Sequence, residues 1–395
     1  MTATRPSPAG LVSRTRPQPD VGDLLDAMGP SGPSSGVMGP SGPGNVWIHN
    51  GGGLATSGMA ARIAVGTGPN RFARAADEVA ELLRAIDVDD PLGLPGTGPL
   101  AVGAIPFHDS VPGELIVPAL VVGRTPQGRA WVTETGPVEV DAGGVARIGG
   151  PPSRFGVAGA DHGDGCRLDG RGDREAWGAA VDEVLARIAA GPLAKVVLAR
   201  QVEVTAERAF DLRRVLDGLR RGDPSSFTYA VGDFVGASPE LLVRRRGNRV
   251  TSRPMAGTAT RGATEADDDL LVAALASSAK EAEEHALVVQ AVREALDPLC
   301  RELVAGAQPD AVRLATVTHL ATTVAGHLIE PAPSALALVG LLHPTPAVAG
   351  LPRSEALTAI AELEAFDRGL YAGPVGWVDS RGDGDWAVAL RCATL

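Results

Sequence analysis

An α+β fold with mainly antiparallel sheet is the class this sequence predicts, on three observations. Apolar and β-branched runs at 241–245 and 249–253 flank Gly247-Asn248, a hairpin signal. A second pair of runs, 373–379 and 386–392, flanks Arg381-Gly-Asp-Gly. Between them the stretch 264–299 has amphipathic helical spacing. Hairpins and long helices thus alternate without regular βαβ units, and no repeat period runs through the chain.

Residues 1–45 are rich in Pro, Gly and Ser, with Met-Gly-Pro-Ser-Gly-Pro at 28–33 and again at 38–43. Gly does not recur at every third position, so this is not collagen. Such a composition buries little apolar surface and reads as a disordered arm. The region 46–170 follows as the N-terminal part of the fold, with a helix at 72–86 and β-like runs at 100–107, 115–122 and 130–134. A Gly/Asp-rich loop at 161–173 holds Asp161, His162, Asp164 and Cys166; the spacing looks metal-like, but turns are the commoner use of such loops. A further region is expected over 171–395. It opens with a helix at 174–190 behind Asp173 as N-cap, then strands at 195–204 and 227–235.

Net charge is −11 and hydrophobic content 44%, ordinary for a globular chain but unfavourable for nucleic acid or an anionic membrane. The longest apolar run, 335–342, is too short to span a bilayer. Cys166, Cys300 and Cys392 share no motif spacing, and the N-terminus has no apolar signal segment. A cytoplasmic monomer acting on a small molecule is the expectation. An acidic chain that binds an acidic metabolite needs a local cationic or metal-bearing pocket.

Only two of the 36 lysine and arginine residues are lysine, Lys195 and Lys280. Arginine keeps its proton at working pH, whereas a desolvated lysine gives it up. Lysines kept in such a background are candidates for chemistry. By its own context Lys195 also fits a surface lysine snorkelling from a strand start, and Lys280 a solvated helix face paired with Glu284 at i,i+4.

Six blocks then appear in order: Lys195-Val-Val-Leu-Ala-Arg200, Gly236-Ala-Ser-Pro-Glu240-Leu-Leu, Pro254-Met-Ala-Gly257-Thr, Glu284-His285-Ala-Leu-Val, His343-Pro-Thr-Pro-Ala-Val-Ala-Gly350, and Leu370-Tyr-Ala-Gly-Pro-Val-Gly-Trp with Leu390-Arg391-Cys. Together they resemble the chorismate-utilising enzymes, and within these the isochorismate synthases, over roughly residues 175–395. The resemblance implies two subdomains of antiparallel sheet covered by helices, with the site in the cleft between them. It also implies water addition at C2 of chorismate with loss of the C4 hydroxyl.

On this resemblance Lys195 is the base, which must be neutral to act, and Glu240 the general acid, which must stay protonated. Val196, Val197 and Leu198 could wall off Lys195. Glu284 matches a ligand of Mg2+, the implied cofactor, and Glu281 lies one helical turn before it. Gly257 and Thr258 let backbone approach the substrate. Arg391 is suited to gripping a carboxylate, while Tyr371, His319, Ala347 and Val348 are matched to the substrate's surroundings. His343 and His285 read as structural.

Subtype follows from positions that differ. Aminodeoxychorismate synthases carry a nucleophilic lysine where this chain has Ala256, and anthranilate synthases commonly carry Gln where it has Lys195. Salicylate synthases share the lysine but tend to have Thr-Ala in place of Ala347-Val348, so isochorismate is the expected product and salicylate the alternative. The product would feed menaquinone or siderophore biosynthesis. The family continues past Arg391 with a Gly-Ala-Gly-Ile block and a helix bearing a second metal carboxylate, to which no residue here corresponds. A C-terminally short region with an unpaired sheet edge is therefore expected, and a non-catalytic chorismate-binding remnant is a further alternative.

Overall fold

The computed structural model describes residues 10–27, 44–140, 146–148, 166–169 and 174–395. Two large sheets organise it. The ten-stranded sheet runs Cys392–Thr394, Phe234–Ser238, Phe227–Val231, Asn45–His49, Gly52–Ser57, Leu120–Arg124, Ala130–Val140, Leu11–Gln18 and Asp87–Asp89, with Ala146–Ile148 paired to Ala130–Val140. The nine-stranded sheet runs Cys300–Ala305, Val324–Leu328, Arg249–Arg253, Leu241–Arg246, Gly384–Val388, Pro374–Asp379, Leu100–Ala104, Gly113–Val117 and Ala61–Val65. Leu11–Gln18 with Asp87–Asp89 is the one parallel pairing among the described residues.

The helices are α1 (Arg71–Arg84), α2 (Arg174–Ala190), α3 (Leu212–Gly222), α4 (Glu265–Ser277), α5 (Ala279–Leu296), α6 (Ala335–Leu342) and α7 (Arg353–Leu363). Trp47, Leu54, Trp131, Phe227 and Tyr229 of one sheet meet Leu100, Val102, Val375, Trp377 and Ala387 of the other in a shared core. Helices α1, α5 and α6 cover the outer face of the nine-stranded sheet through Phe72, Val79, Leu83, Val292, Leu296, Leu336 and Val339. On the outer face of the ten-stranded sheet α3 packs through Leu216, with Leu24 and Leu25 beside it. Asp211 caps α3 by accepting from the Arg214 N–H at 3.2 Å, so the helix starts where its apolar side meets the sheet. Truncating the fully buried Leu216 to Ala costs ~2–5 kcal/mol in such a core.

The hairpin of Leu241–Arg246 with Arg249–Arg253 forms where expected. In the second, Pro374–Asp379 pairs with Gly384–Val388 and not with 386–392, because the chain leaves this sheet at 389–391 and Cys392–Thr394 joins the other. Five further expectations are corrected. The 1–45 arm is not uniformly without structure: Leu11–Gln18 pairs with Ala130–Val140, and its buried Ser13 and Thr15 bond the Thr135 and Thr133 hydroxyls. Polarity concealed this strand because its buried hydroxyls satisfy one another. The run 115–122 is two strands, one in each sheet, separated at Pro118 and Ala119. The run 227–235 is a hairpin that turns at Gly232, whose φ is +62°. The stretch 264–299 breaks at Ser278, whose extended backbone ends α4 and starts α5. Regular strand from Lys195 stops at Val196.

In each large sheet the strands from before residue 170 form one block and those of 171–395 the other, meeting at Asn45–His49 with Phe227–Val231 and at Leu100–Ala104 with Pro374–Asp379, so the two regions share both sheets. Asp161, His162, Asp164 and Asp173 lie outside the described residues, while Cys166–Asp169 pairs with Glu203–Ala206. Among the described residues no helix is long and apolar enough to cross a membrane. Cys392–Thr394 forms one end of the ten-stranded sheet, paired on one side with Phe234–Ser238.

Candidate active site

The chain crosses between the two sheets at Pro239-Glu240 and crosses back at 389–391. The crossings are bonded together: Val388 N–H donates to Glu240 O at 3.2 Å, and Ala237 N–H donates to Arg391 O at 3.2 Å. Such a crossing delivers a side chain to the rim of the shared core. Glu240 is 3% exposed there. Burial pushes its carboxyl up to about 8; a hydrogen bond from the Met255 backbone and the charge of Lys195 pull the other way without cancelling it. Glu240 is thus protonated at neutral pH, the state a general acid requires.

Lys195 sits on a two-residue strand paired with Gly350–Leu351. Gly350 permits the approach, because a Cβ there would stand 2.0 Å from Lys195 O. The amine is drawn into the protein, with its side chain 13% exposed, and Lys195 Nζ donates to Glu284 Oε1 at 2.8 Å. Val196, Val197 and Leu198 are half-buried around it. The i,i+4 pairing of Lys280 with Glu284 is corrected: Lys280, 85% exposed, faces Glu281 at 3.5 Å.

The break at Ser278 puts Glu281 and Glu284 near the start of α5. Ser278 caps the helix by accepting from the Glu281 N–H at 3.3 Å. Glu281 Oε2 in turn accepts from the Thr258 N–H at 3.1 Å. Gly257, at φ +78°, lies against this turn, and a Cβ there would meet Glu281 Oε2 at 3.4 Å. No cluster of three His, Cys, Asp or Glu side chains occurs among the described residues. Two carboxylates one turn apart, one already holding the Lys195 cation, do fit Mg2+, which takes few protein ligands and keeps water and substrate oxygens.

His319 joins this backbone to the second crossing. Its Nε2 lies 3.3 Å from Arg391 Nη2, and a guanidinium only donates, so Nε2 accepts. The ring proton is then on Nδ1, which donates to Gly257 O at 3.2 Å and lies 3.0 Å from Thr258 Oγ1. Burial lowers the His319 pKa, and the nearby Arg391 charge adds to this, so the ring is neutral and holds Arg391 in place. Arg391 itself adopts φ +49° at the crossing, and its Nη1 is 3.5 Å from Asp223 Oδ2.

Ala347 is half-buried and Val348 buried on the turn before Gly350, and half-buried Tyr371 precedes the strand Pro374–Asp379. Arg368 links them: its guanidinium donates to Val348 O at 2.8 Å and to Val197 O at 2.7 Å, and stands 5.9 Å from the Tyr371 ring. Sequence reading missed Arg368 and its partner Glu364. Their i,i+4 spacing just before Leu370-Tyr371 was the available signal.

The two motif histidines hold structure. His343 donates from Nε2 to Phe107 O at 3.1 Å, and burial lowers its pKa to about 3. His285, lowered by burial, bonds Thr322 Oγ1 at 2.7 Å through Nε2.

Residues 167–395 match the family described as chorismate binding enzyme, and the chain belongs to that family. Its similar relatives are isochorismate synthases. One from Mycobacterium tuberculosis, provisionally named isochorismate synthase MenF, is 44% identical over 311 residues, 76% of this chain and 77% of its own. Isochorismate synthase DhbC of Bacillus subtilis is 34% identical over 358 residues, 86% of this chain and 81% of its own. The solved menaquinone-specific isochorismate synthase MenF of Escherichia coli shares the fold, with a TM-score of 0.76 at 23% identity, covering 99% of this chain and 87% of that one.

Proposed function

We propose that this chain is a Mg2+-dependent isochorismate synthase in which Lys195 and Glu240 move the two protons of the reaction. Water adds at C2 of chorismate, and Lys195, which must first give up the proton of the ammonium that Glu284 holds in this structure, takes the proton that water loses. The C4 hydroxyl leaves as water after receiving the Glu240 proton. The substrate gains one water and loses one, so the step is an isomerisation. The observation that carries this reading is the state of Glu240: a buried carboxyl with a pKa near 8, within electrostatic reach of the amine of Lys195.

Arg391, steadied by neutral His319, supplies a fixed cation for a substrate carboxylate. Glu284 and Glu281 would hold Mg2+, which supplies charge neutralisation for a carboxylate of the dianionic substrate. Glu284 is then shared between that metal and Lys195. The Gly257 backbone, lacking a Cβ, leaves room beside these carboxylates. Ala347 and Val348 present no hydroxyl, which favours release of the isomer over elimination of pyruvate. Every residue invoked comes from one chain, so a monomer suffices.

Incubating the chain with chorismate, with and without Mg2+, and resolving the products by chromatography tests this reading. Isochorismate formed only with Mg2+ is the expected result. Salicylate with pyruvate would move the chain to the neighbouring reaction, and chorismate binding without any product would contradict catalysis.

A further inference from the structure

The pair Glu364–Arg368 is the most deeply buried ion pair among the described residues, with side chains 3% and 1% exposed. Burying two charges costs several kcal/mol per ion, on the order of what an unsatisfied pair would lose, unless their remaining donors and acceptors are met. Here they are met almost wholly by backbone near the site. Arg368 Nε donates to Glu364 Oε2 at 2.8 Å, Nη1 to Val348 O at 2.8 Å and Nη2 to Val197 O at 2.7 Å. Glu364 Oε1 accepts from the Ala199 N–H at 2.8 Å. The guanidinium lies over the Phe107 ring at 4.5 Å, and Arg368 O accepts from the Tyr371 N–H at 2.9 Å.

Three segments therefore meet on one side chain: the chain just past Lys195, the turn carrying Ala347 and Val348, and the turn carrying Tyr371. The first of these needs an anchor. Its last bond to the neighbouring segment is from Val197 N–H to Ala349 O at 2.9 Å; beyond it the pair meets Val197 O and the Ala199 N–H, which a neighbouring strand would otherwise meet. The contrast with Asp385 is instructive. That buried carboxylate binds Arg244 and Arg246 within one sheet and touches no site segment.

We propose that Arg368, locked by Glu364, is a positioning residue that sets Lys195 against Val348 and Tyr371. The proposal rests on the role given to Lys195 above, but its first test does not. With only two lysines in the chain, acylation by an amine-specific reagent followed by peptide mass spectrometry reads Lys195 against exposed Lys280 as an internal standard. In Arg368→Met and in Glu364→Gln, the acylation rate of Lys195 relative to Lys280 rises about fivefold or more, on the scale of a local opening of ~1 kcal/mol. Chorismate turnover in the same variants falls about a hundredfold in kcat, the order expected for a displacement near 1 Å, with KM changed far less. A merely architectural pair would lower the melting temperature and leave both the lysine ratio and the kcat-against-KM split in place. An unchanged ratio in a folded variant overturns the proposal. Should Arg368→Met fail to fold, Glu364→Gln, which keeps size and one acceptor, decides alone. If the wild-type chain leaves chorismate untouched, the functional reading fails, while the lysine ratio still decides the clamp.

Discussion

The strand Pro374–Asp379 has two very different ends. At its far end Asp379 is buried, and burial raises its carboxyl, yet donors surround it: Gly96 N–H at 3.1 Å, Arg381 N–H at 2.9 Å, Asp383 N–H at 3.1 Å and the Arg381 guanidinium at 3.1 Å. At the crossing end Glu240 is equally buried, but a backbone hydrogen bond from Met255 and the charge of Lys195 are what oppose its desolvation. Asp385 makes a third case. Burial would raise it, but Arg246 and Arg244 together bring it below the usual carboxylate range. Burial alone therefore does not make an acid catalytic. Burial raises Glu240 and Asp379 alike; what separates Glu240 is the shortage of donors around its carboxyl and the Lys195 charge near it.

Removing the proton donor breaks the comparison most directly. Glu240→Gln lowers kcat for isochorismate formation by about a hundredfold to ten-thousandfold, the usual worth of one general acid. The same change stabilises the protein at alkaline pH. Folding raises the Glu240 pKa from 4.5 to about 8, so the folded state holds this proton more tightly than the unfolded chain. That contribution is full below pH 4.5 and is lost as pH rises toward 8, leaving a penalty of a few kcal/mol at about 1.4 kcal/mol per unit. Melting curves from pH 5 to 8 should therefore show Glu240→Gln gaining on the wild type as pH rises.

Lys195→Ala tests the other proton and is expected to cost about a hundredfold or more in kcat with the fold intact by circular dichroism. Wild-type turnover in that variant would remove Lys195 from the mechanism. At the satisfied end the expectation reverses. Asp379→Asn loses about 1–3 kcal/mol of stability in urea unfolding, because a carboxyl whose two oxygens accept from four donors is replaced by an amide with one acceptor oxygen, and keeps turnover per folded molecule within about twofold. Gly257→Ala has the smallest effect on folding, roughly 1 kcal/mol from its positive φ. Its Cβ stands against Glu281, so Mg2+ affinity measured by calorimetry should fall while the melting temperature barely moves.

The sequence made the hairpins legible because their turns carry their own chemistry, as at Gly247-Asn248. The candidate residues stand in ordered motifs, and the structure brings Lys195 to Glu284 and links Glu281, Gly257, Thr258, His319 and Arg391 through hydrogen bonds. What stayed hidden depends on contacts distant in sequence. Nothing local announces that Ser13 and Thr15 are buried against Thr135 and Thr133, or that Val197 O and the Ala199 N–H are met by Arg368 and Glu364. The break at Ser278 was hidden for a milder reason: a serine serves both a helix interior and an N-cap, and only the Glu281 N–H it meets decides between them.

The central claim is that Glu240 carries its proton at neutral pH. Infrared difference spectra of wild type against Glu240→Gln, titrated from pH 5 to 10, read that proton directly. A carboxylic acid C=O band is expected at pH 7, lost with a midpoint near 8. A carboxylate band already complete at pH 6 would contradict it.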